Sequence, residues 1–262
     1  MTHVISWSGG KDSTASILLL RDHFKEIVKK GDRVVVLFVE IMFSISDDVS
    51  GHNPSIIGFI HHAAGVIEGW GLGIEVEILR ADRDYLDVFH RTIERPVKIM
   101  EHKGMKYGFG CGSSRCAVRR DLKLKPIEQF IRSLGDDYVS YVGIAADETD
   151  RLRSMHKEPH KVSLLEKYGI NEAQAMQMCG QEGLLSPQYA MEREDGRKMK
   201  RDGCWFCPEM KNCEAAAIKH HPEERYRNAW KQFVALEEED GLAFAKWNTY
   251  RKETLHEIDM QI

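Results

Sequence analysis

The sequence contains no long apolar run. Its longest apolar stretches, such as Val34 to Val39, fall well short of the roughly 20 residues that a membrane-spanning helix needs. The first residues, Met-Thr-His-Val-Ile-Ser, have neither the basic nor the apolar region of a signal peptide. Internal repeats and low-complexity tracts are also missing. We therefore expect a cytoplasmic protein that does not associate with membranes.

The chain has only a small excess of negative charge. Its formal net charge is −4, with 30% charged and 42% apolar residues, which is an ordinary balance for a soluble globular protein. A protein of this charge is not expected to wrap nucleic acid non-specifically. Two local basic segments, Arg115 to Lys125 and Arg193 to Arg201, nevertheless suit the binding of phosphate groups.

Apolar and turn-forming segments alternate along the first part of the chain as they do in α/β proteins. Strand-like runs at Val4 to Ser6, Val34 to Ile41, Ile74 to Leu79 and Tyr138 to Ile144 are separated by segments with helical spacing. This order predicts βαβ units and a buried parallel sheet. After Arg153 the pattern changes to short helices and irregular loops. We predict a nucleotide-binding α/β domain over 1–153 and a Cys-rich, largely helical C-terminal extension over 154–262.

The first strand-like run leads into a glycine-rich turn, Ser6-Trp-Ser8-Gly9-Gly10-Lys11-Asp12-Ser13, and then into a predicted helix. A strand-to-helix turn of this composition points successive backbone N–H groups at an anion, and the positive end of the helix favours the same anion. Lys11 adds a cation, and Ser8 and Ser13 add hydroxyl donors. We predict a phosphate site formed by Ser6, Ser8, Gly9, Gly10, Lys11, Asp12 and Ser13. The simpler alternative is an ordinary glycine turn before a helix.

The turn differs from the Walker loop, because its two glycines are adjacent and Lys-Asp-Ser replaces Lys-Ser/Thr. Transfer of the γ-phosphate is therefore not the natural interpretation. Asp12 offers a carboxylate for Mg²⁺, and Lys11 is placed to stabilise charge on a phosphate chain. We treat Lys11 and Asp12 as the candidate catalytic residues.

Ser8-Gly-Gly-Lys-Asp-Ser13 resembles the PP-loop of the ATP pyrophosphatases, within the adenine nucleotide α-hydrolase-like superfamily. Further segments resemble the phosphoadenosine phosphosulfate (PAPS) reductase branch of that superfamily: Cys116-x6-Lys123-x2-Pro126, Gly143-Ile-Ala-Ala-Asp147-Glu148 with Arg151, and Cys204-Trp-Phe-Cys207-Pro208. The resemblance spans residues 3 to 215. It implies a doubly wound, mostly parallel sheet with helices on both faces. It also implies attack on the α-phosphate of ATP with release of pyrophosphate, or binding of an adenylyl sulfate.

The chain departs from this branch in two respects. Ala145 stands where the branch has an arginine, so any phosphate contact of that arginine is missing. PAPS reductases also use a reactive C-terminal cysteine, whereas no cysteine follows Cys213. These departures disfavour sulfonucleotide reduction.

The chain has 6 cysteines, and three of them form a compact set, Cys204-x2-Cys207-x5-Cys213. Clustered cysteines in a reducing compartment indicate metal or redox chemistry rather than disulfides. A four-coordinate site needs one further thiolate, and the candidates, in order of preference, are Cys116, Cys111 and Cys179. Cys179 lies in a predicted helix interior and is expected to be a buried small hydrophobe.

Four thiolates suit either zinc or an iron–sulfur cluster. The spacing is similar to that of the iron–sulfur sulfurtransferases of DNA phosphorothioation, and this resemblance implies a [4Fe–4S] cluster. In those proteins a cysteine precedes the CxxC pair by nine positions, but Asp195 stands there in this chain. The alternative is a structural zinc site. Trp205 and Phe206 either shield a cluster from water or belong to the core.

Asp147, Glu148 and Arg151 follow the strand-like run 138–144, at the sheet edge where ligands of open α/β sheets gather. The carboxylates suit Mg²⁺ on a nucleotide, and Arg151 suits a phosphate or sulfate. The simpler alternative is a helix N-terminus with acidic residues in its first turn. The basic residues beside Cys116 either receive substrate phosphates or form an ordinary solvated face.

The leading functional hypothesis is an enzyme that binds ATP with Mg²⁺, adenylates an acceptor and supports sulfur transfer with an iron–sulfur cluster. The acceptor is a nucleic acid or a small metabolite, and a sulfur-donor protein and a homodimer are possible partners. One alternative is a reductase of adenylyl sulfate or PAPS. Another, from a different class, is a nucleotide-sensing module with a structural zinc.

Overall fold

The computed structural model describes residues 1–96, 98–110, 116–192, 196, 199, 203–247 and 253–262. Cys111 and Asp195 lie outside these ranges. The strands are β1 Thr2–Ser6, β2 Arg33–Val39, β3 Met42–Ser44, β4 Val49–Ser50, β5 Ile74–Leu79, β6 Lys106–Gly108, β7 Tyr138–Val142, β8 Lys161–Val162 and β9 Leu242–Phe244. The α-helices are α1 Lys11–Asp22, α2 Phe24–Ile27, α3 Pro54–Glu68, α4 Tyr85–His90, α5 Lys125–Ser133, α6 Thr149–Met155, α7 Leu164–Lys167, α8 Glu172–Gln181, α9 Asn212–Lys219, α10 Glu224–Ala235 and α11 Leu255–Gln261. A π-helical stretch, Arg119–Leu124, leads into α5, and short 3₁₀ turns occur at Met100–His102, Pro187–Tyr189 and Leu236–Glu238.

The main sheet has the order β5-β2-β1-β7-β8, and every pairing in it is parallel. Its central strands are buried apolar runs, as expected of a sheet covered on both faces. From β1 the chain moves to β2 and then to β5, and it returns to the other side of β1 for β7 and β8. Because parallel crossovers are right-handed, this reversal places helices on both faces of the sheet. The predicted α/β, doubly wound fold is confirmed.

The reversal of strand order lies beside β1. The open edge at such a switch point is where ligands bind in doubly wound sheets. The turn that follows β1 begins at this edge, because Ser6 is the last residue of β1 and pairs in register with Leu37 and Val142. The fold therefore places the predicted phosphate loop at the switch point.

The contacts divide the chain into two compact units, and the division differs from a boundary at residue 153. The first unit comprises 1–39, 55–79 and 128–190 and contains the main sheet. The second unit comprises 40–54, 80–127 and 191–262. It contains the antiparallel pair β3-β4 and the parallel pair β6-β9. Helices α9, α10 and α11 supply the expected helical character of the C-terminal part.

Each unit has its own apolar core. The core of the first unit is mainly aliphatic and is formed by β1, β2, α1 and α3. The core of the second unit is rich in aromatic side chains, including Phe43, Tyr85, Trp205, Phe206 and Phe233. Among the helices that the structure describes, none is long and apolar enough to cross a membrane.

Candidate functional site

The turn between β1 and α1 has a defined backbone. Trp7 extends the pairing of β1, because its N–H donates to the Leu37 carbonyl at 2.9 Å. Gly9 has a φ of +77°, a conformation that favours glycine, and a Cβ atom there would lie 2.7 Å from Ile60 Cδ1. Gly10 is the N-cap of α1 and has an ordinary φ of −76°. Of the two glycines, Gly9 is therefore the one that the turn itself requires.

The two serines of the loop bind each other and fix its shape. Ser13 Oγ accepts the Ser8 N–H at 3.2 Å and donates to the Gly10 carbonyl at 3.0 Å. The hydroxyl oxygens of Ser8 and Ser13 are 3.1 Å apart. Because the Ser13 hydroxyl proton goes to the Gly10 carbonyl, Ser8 is the donor in the hydrogen bond between the two serines, and both hydroxyl protons are used within the loop.

Several backbone donors of the loop have no acceptor. Helix α1 has no side-chain cap at Gly10. Among the described residues, no acceptor lies in hydrogen-bond range of the N–H groups of Gly9, Asp12 and Ser13. The first N–H groups of a helix have no partner within the helix and carry partial positive charge. These three N–H groups are therefore available to an acceptor outside the described residues, and the phosphate site itself stays a prediction.

Lys11 is nearly buried and is held by carboxylates. Its ammonium lies 2.8 Å from both carboxylate oxygens of Asp12 and 3.2 Å from Glu172 at the start of α8. Burial alone lowers the pKa of Lys11, but the hydrogen bonds and charges of Asp12 and Glu172 outweigh it, so the pKa is raised. Lys11 is therefore fully charged at neutral pH.

Asp12 belongs to a group of nearby acidic residues. Burial raises the pKa of its carboxyl group, and the charges of Glu148 and Glu172 raise it further, against the opposing effect of Lys11. A carboxylate in such surroundings is stabilised by any added cation. The sequence predicted Asp12 and Glu148 as acidic residues of this site, whereas Glu172 was not predicted.

Gly143 presses directly against the loop. A Cβ atom at this position, just after β7, would lie 2.5 Å from the Ser13 nitrogen and 2.7 Å from the Asp12 carbonyl carbon. Only glycine lets the two backbones approach so closely. The segment that resembles the PAPS reductase branch thus contacts the loop through Gly143.

The predicted residues Asp147, Glu148 and Arg151 already have hydrogen-bond or ion-pair partners within the protein. Asp147 accepts the Glu172 N–H at 3.2 Å and so satisfies a donor in the first turn of α8. Glu148 accepts the Ala145 N–H at 3.0 Å and also pairs with Arg151. Glu148 is the residue that precedes α6. These contacts match the simpler interpretation of a helix start, and a role in nucleotide binding stays a prediction.

Tyr189 contacts the loop from a distant part of the sequence. Its hydroxyl oxygen accepts the Lys11 N–H at 2.9 Å, across 178 positions in the chain. Tyr189 ends the 3₁₀ turn Pro187–Tyr189 and is half-buried. No local pattern predicts this contact, because nothing in the sequence around Tyr189 resembles a phosphate-binding motif.

Cys179 is a buried thiol of the first unit. Its S–H donates to the Lys11 carbonyl at 3.2 Å, and its side chain belongs to the apolar core. Burial raises the pKa of this thiol to about 12. A thiol of this pKa does not supply a thiolate at neutral pH, which agrees with the expectation of a small buried hydrophobe.

We expect Cys179 to resist alkylation in the folded protein. Because the thiolate is the reactive species, iodoacetamide at pH 8 should leave Cys179 unmodified while the chain is folded and modify it after unfolding in urea. Samples quenched at successive times and analysed by peptide mass spectrometry give the rate of Cys179 alkylation in the folded and in the unfolded protein. Native labelling of Cys179 as fast as labelling in urea would contradict the raised pKa.

The CxxC segment of the second unit forms two consecutive tight turns. The Cys207 N–H donates to the Cys204 carbonyl at 2.9 Å, and the Met210 N–H donates to the Cys207 carbonyl at 2.8 Å. A turn of this type brings its first and last Cα atoms within about 7 Å. Cys213 follows in the first turn of α9. The three residues therefore lie in one short stretch of turn and helix.

Cys116 lies immediately before a helical stretch of the same unit. Its Sγ accepts the Arg119 N–H at 3.4 Å. Cys116 and Cys204 both pack against the aromatic core of the second unit. All four predicted ligands are only partly buried.

The fit to a metal is incomplete within the described ranges. In that part of the chain, no group of three or more His, Cys, Asp or Glu side chains is arranged to hold a metal ion. Cys111, the second choice for the fourth ligand, lies outside it. The set Cys116, Cys204, Cys207 and Cys213 therefore stays a prediction.

The two aromatic residues between Cys204 and Cys207 are core residues. Trp205 and Phe206 are each 1% exposed. The Trp205 indole N–H donates to the Ser50 carbonyl at 2.8 Å, and the ring centroids of Trp205 and Phe43 are 4.6 Å apart. Phe206 stacks on Tyr85 with a centroid distance of 4.2 Å. Of the two interpretations of this pair, the structure supports membership of the core.

The basic run beside Cys116 surrounds a buried carboxylate. Asp121 is held by Arg91 at 3.0 Å, Arg120 at 2.6 Å and Lys125 at 2.9 Å. These contacts, led by the hydrogen bond from Arg120, hold the pKa of Asp121 far below its usual range. Part of the positive charge that the sequence shows here is therefore neutralised inside the protein.

Comparison with known proteins shows a remote likeness to solved structures. No family model matches the chain, and no curated protein matches it significantly. Among solved structures, the chain is similar to the U34-tRNA thiolase NcsA from Methanococcus maripaludis with its [4Fe-4S] cluster. The two are 14% identical with a TM-score of 0.42, over 100% of this chain and 81% of that chain. The assignment of function therefore depends on the residues of this chain.

Proposed function

We propose that the first unit binds ATP with Mg²⁺ at residues 6–13 and that the protein cleaves the nucleotide at its α-phosphate. The observation that carries this proposal is the group of three N–H donors, those of Gly9, Asp12 and Ser13, which have no acceptor among the described residues. They lie at the switch point of a doubly wound sheet, beside a fully charged Lys11. A polyphosphate chain supplies the acceptors and the negative charge that this arrangement lacks.

The proposed reaction is adenylation of an acceptor. An acceptor oxygen forms a bond to the α-phosphorus, the bond from that phosphorus to the bridging oxygen breaks, and pyrophosphate leaves with the bonding electrons. The loop N–H groups and Lys11 stabilise the negative charge that grows on the phosphate oxygens. Asp12 would hold the Mg²⁺ that accompanies the nucleotide, with Lys11 directed at the phosphates, and the cation would offset the repulsion of the Asp12 carboxylate by Glu148 and Glu172.

The proposed purpose of adenylation is sulfur transfer. A hydrosulfide-level sulfur from a donor protein then forms a bond to the acceptor carbon, and AMP leaves with the oxygen. The spacing Cys204-x2-Cys207-x5-Cys213 supports a [4Fe–4S] cluster in the second unit, with Cys116 as fourth ligand and zinc as the alternative metal. When bound, such a cluster supplies an iron site for sulfur.

Replacement of Lys11 tests the proposal. The variant Lys11→Ala removes the cation of the loop, and we expect its affinity for ATP to fall by about 10- to 100-fold, the effect of losing a charge-assisted hydrogen bond. Calorimetric titration with Mg·ATP measures the affinity, and a pyrophosphate-release assay measures turnover. Lys25→Ala, which removes an exposed lysine of α2 in the same unit, is the matched control and should behave as wild type. Equal binding and turnover by Lys11→Ala and wild type would refute the proposal.

Two further assays separate the alternatives. Sulfite formation from adenylyl sulfate or PAPS with a thiol donor would favour the reductase over adenylation. Metal content and visible colour after anaerobic purification separate a brown iron–sulfur protein from a colourless zinc protein. Tight nucleotide binding without turnover, in a zinc-containing protein, would favour the sensing module.

A further inference from the structure

The Tyr189 hydroxyl has a proton that the protein does not use. The oxygen accepts the Lys11 N–H at 2.9 Å, and in the described part of the chain the hydroxyl has no other hydrogen bond. A tyrosine hydroxyl both accepts and donates, so its O–H remains available for an acceptor. The contact with the N-terminus of α1 strengthens this donor, because the positive end of the helix withdraws electron density from the oxygen.

The hydroxyl lies beside Gly10, next to the hydroxyl of Ser8. A Cβ atom built on Gly10 would lie 3.4 Å from Ser8 Oγ and 3.5 Å from the Tyr189 hydroxyl oxygen, both ordinary contact distances. The space above Gly10 is thus bordered by two hydroxyl groups. Both belong to residues that contact the loop backbone directly.

The turn that carries Tyr189 has further unmet hydrogen-bonding capacity. Ser186 Oγ and Gln188 Oε1 are buried atoms without a partner among the described residues, and their side chains are 3% and 4% exposed. Buried polar atoms are nearly always paired in folded proteins. The turn itself is well defined, since the Tyr189 N–H donates to the Ser186 carbonyl at 3.2 Å. A defined turn with unpaired buried polar atoms, placed against an anion-binding loop, is typical of a site that a bound molecule completes.

We propose that the Tyr189 hydroxyl donates its proton to a phosphate oxygen held by the loop, so that the turn 186–189 forms one wall of the phosphate site. This inference rests on the proposed function, because it assumes that the loop binds a phosphate chain. It adds a phosphate-binding residue that lies far from the loop in sequence. The inference also gives a role to the Lys11 N–H, which, unlike the neighbouring Asp12 N–H, already has an acceptor. By donating to the Tyr189 oxygen, the Lys11 N–H positions the hydroxyl for the phosphate.

The test compares Tyr189→Phe with wild type in calorimetric titrations against two probes, Mg·ATP and Mg·pyrophosphate. Tyr168→Phe is the matched control, because Tyr168 belongs to the same unit and its hydroxyl contacts Glu26 of α2. We expect Tyr189→Phe to bind both probes about tenfold more weakly, the effect of one hydrogen bond to a charged group. Tyr168→Phe should bind both as wild type does. Urea unfolding without ligand should give a midpoint for Tyr189→Phe only slightly below that of wild type, because the Lys11 N–H loses its acceptor.

Each remaining outcome overturns the inference. Wild-type affinity of Tyr189→Phe for pyrophosphate would show that the hydroxyl does not touch a phosphate, even if ATP bound more weakly. If Tyr189→Phe lost as much stability in urea as it lost affinity for the probes, Tyr189 would have a structural role instead. If wild type bound neither probe, the proposed function would itself fail, and the wild-type titrations distinguish this case from a failure of the inference about Tyr189 alone.

Discussion

Gly143→Ala is expected to destabilise the first unit by about 3 kcal/mol or more, at the upper end of the range for overpacked sites. The added methyl group would lie 2.5 Å from the Ser13 nitrogen and 2.7 Å from the Asp12 carbonyl carbon. Both are backbone atoms of the first turn of α1, so no side chain can rotate away to make room. Either the end of β7 or the start of α1 must move.

Urea unfolding measures this effect, and Gly180→Ala is its matched control. Gly180 lies in α8 of the same unit, and a Cβ atom there would meet nothing within 4 Å. The control should be neutral or stabilising by about 0.5–1 kcal/mol, because alanine is the better helix former. If Gly143→Ala unfolded at the same urea concentration as wild type, the close approach of the two backbones would be wrong.

The same substitution is expected to abolish nucleotide binding where the protein is still folded. A shift of the first turn of α1 displaces the N–H groups of Asp12 and Ser13, two of the three loop donors that have no acceptor among the described residues. Binding titrations at low temperature, on protein whose circular dichroism is that of wild type, separate this effect from unfolding. Unchanged affinity in a folded Gly143→Ala protein would mean that the phosphates lie elsewhere.

Trp205→Ala is expected to destabilise the second unit by about 3–5 kcal/mol, as for other large-to-small substitutions in cores. Trp205 is 1% exposed, and its ring centroid lies 4.6 Å from that of Phe43 and 5.6 Å from that of Phe233. The substitution also leaves the Ser50 carbonyl without its indole donor. The expected loss of stability therefore has two causes, the cavity left by the ring and the unpaired Ser50 carbonyl.

The experiment must be done on metal-free protein, because that condition distinguishes a core residue from a cluster shield. A core tryptophan stabilises the unit without metal, whereas a shield matters only when a cluster is bound.

Trp205→Phe keeps an aromatic ring and removes the hydrogen bond, so its stability should fall between that of wild type and that of Trp205→Ala. Phe244→Ala, at a 40% exposed position of the same unit, should change stability by less than about 1 kcal/mol. Equal stability of metal-free wild type and Trp205→Ala would contradict assignment to the core.

Local patterns predicted the framework of the first unit. The β-branched run that begins at Val34 forms β2, the alternating run Ile74 to Leu79 forms β5, and Asn171 caps α8. These features depend on a few consecutive residues, which a sequence displays directly. Helix α4 is short, since it ends at His90, and no local pattern of the sequence marks that end.

Contacts between distant parts of the chain could not be predicted in this way. Tyr189 and Glu172 reach the loop only because α8 and the turn after it fold back beside α1. Contacts between distant segments also decide which residues belong to each unit. Residues 40–54 and 80–127 join the C-terminal part through packing of aromatic side chains, and no local pattern specifies this packing. Sequence reasoning found the loop residues and the neighbouring Gly143 and Glu148, and it missed Tyr189 and Glu172.

The ion pairs of Lys11 affect which ligands the loop can select. Its ammonium already has two counter-ions, Asp12 and Glu172, so an anion that arrives alone must separate Lys11 from both and leave their charges exposed. A phosphate chain that carries its own divalent cation avoids this cost, because the metal takes the place of Lys11 beside the carboxylates. If the loop binds phosphate as we propose, these ion pairs favour metal-bound polyphosphates over free phosphate, sulfate and chloride.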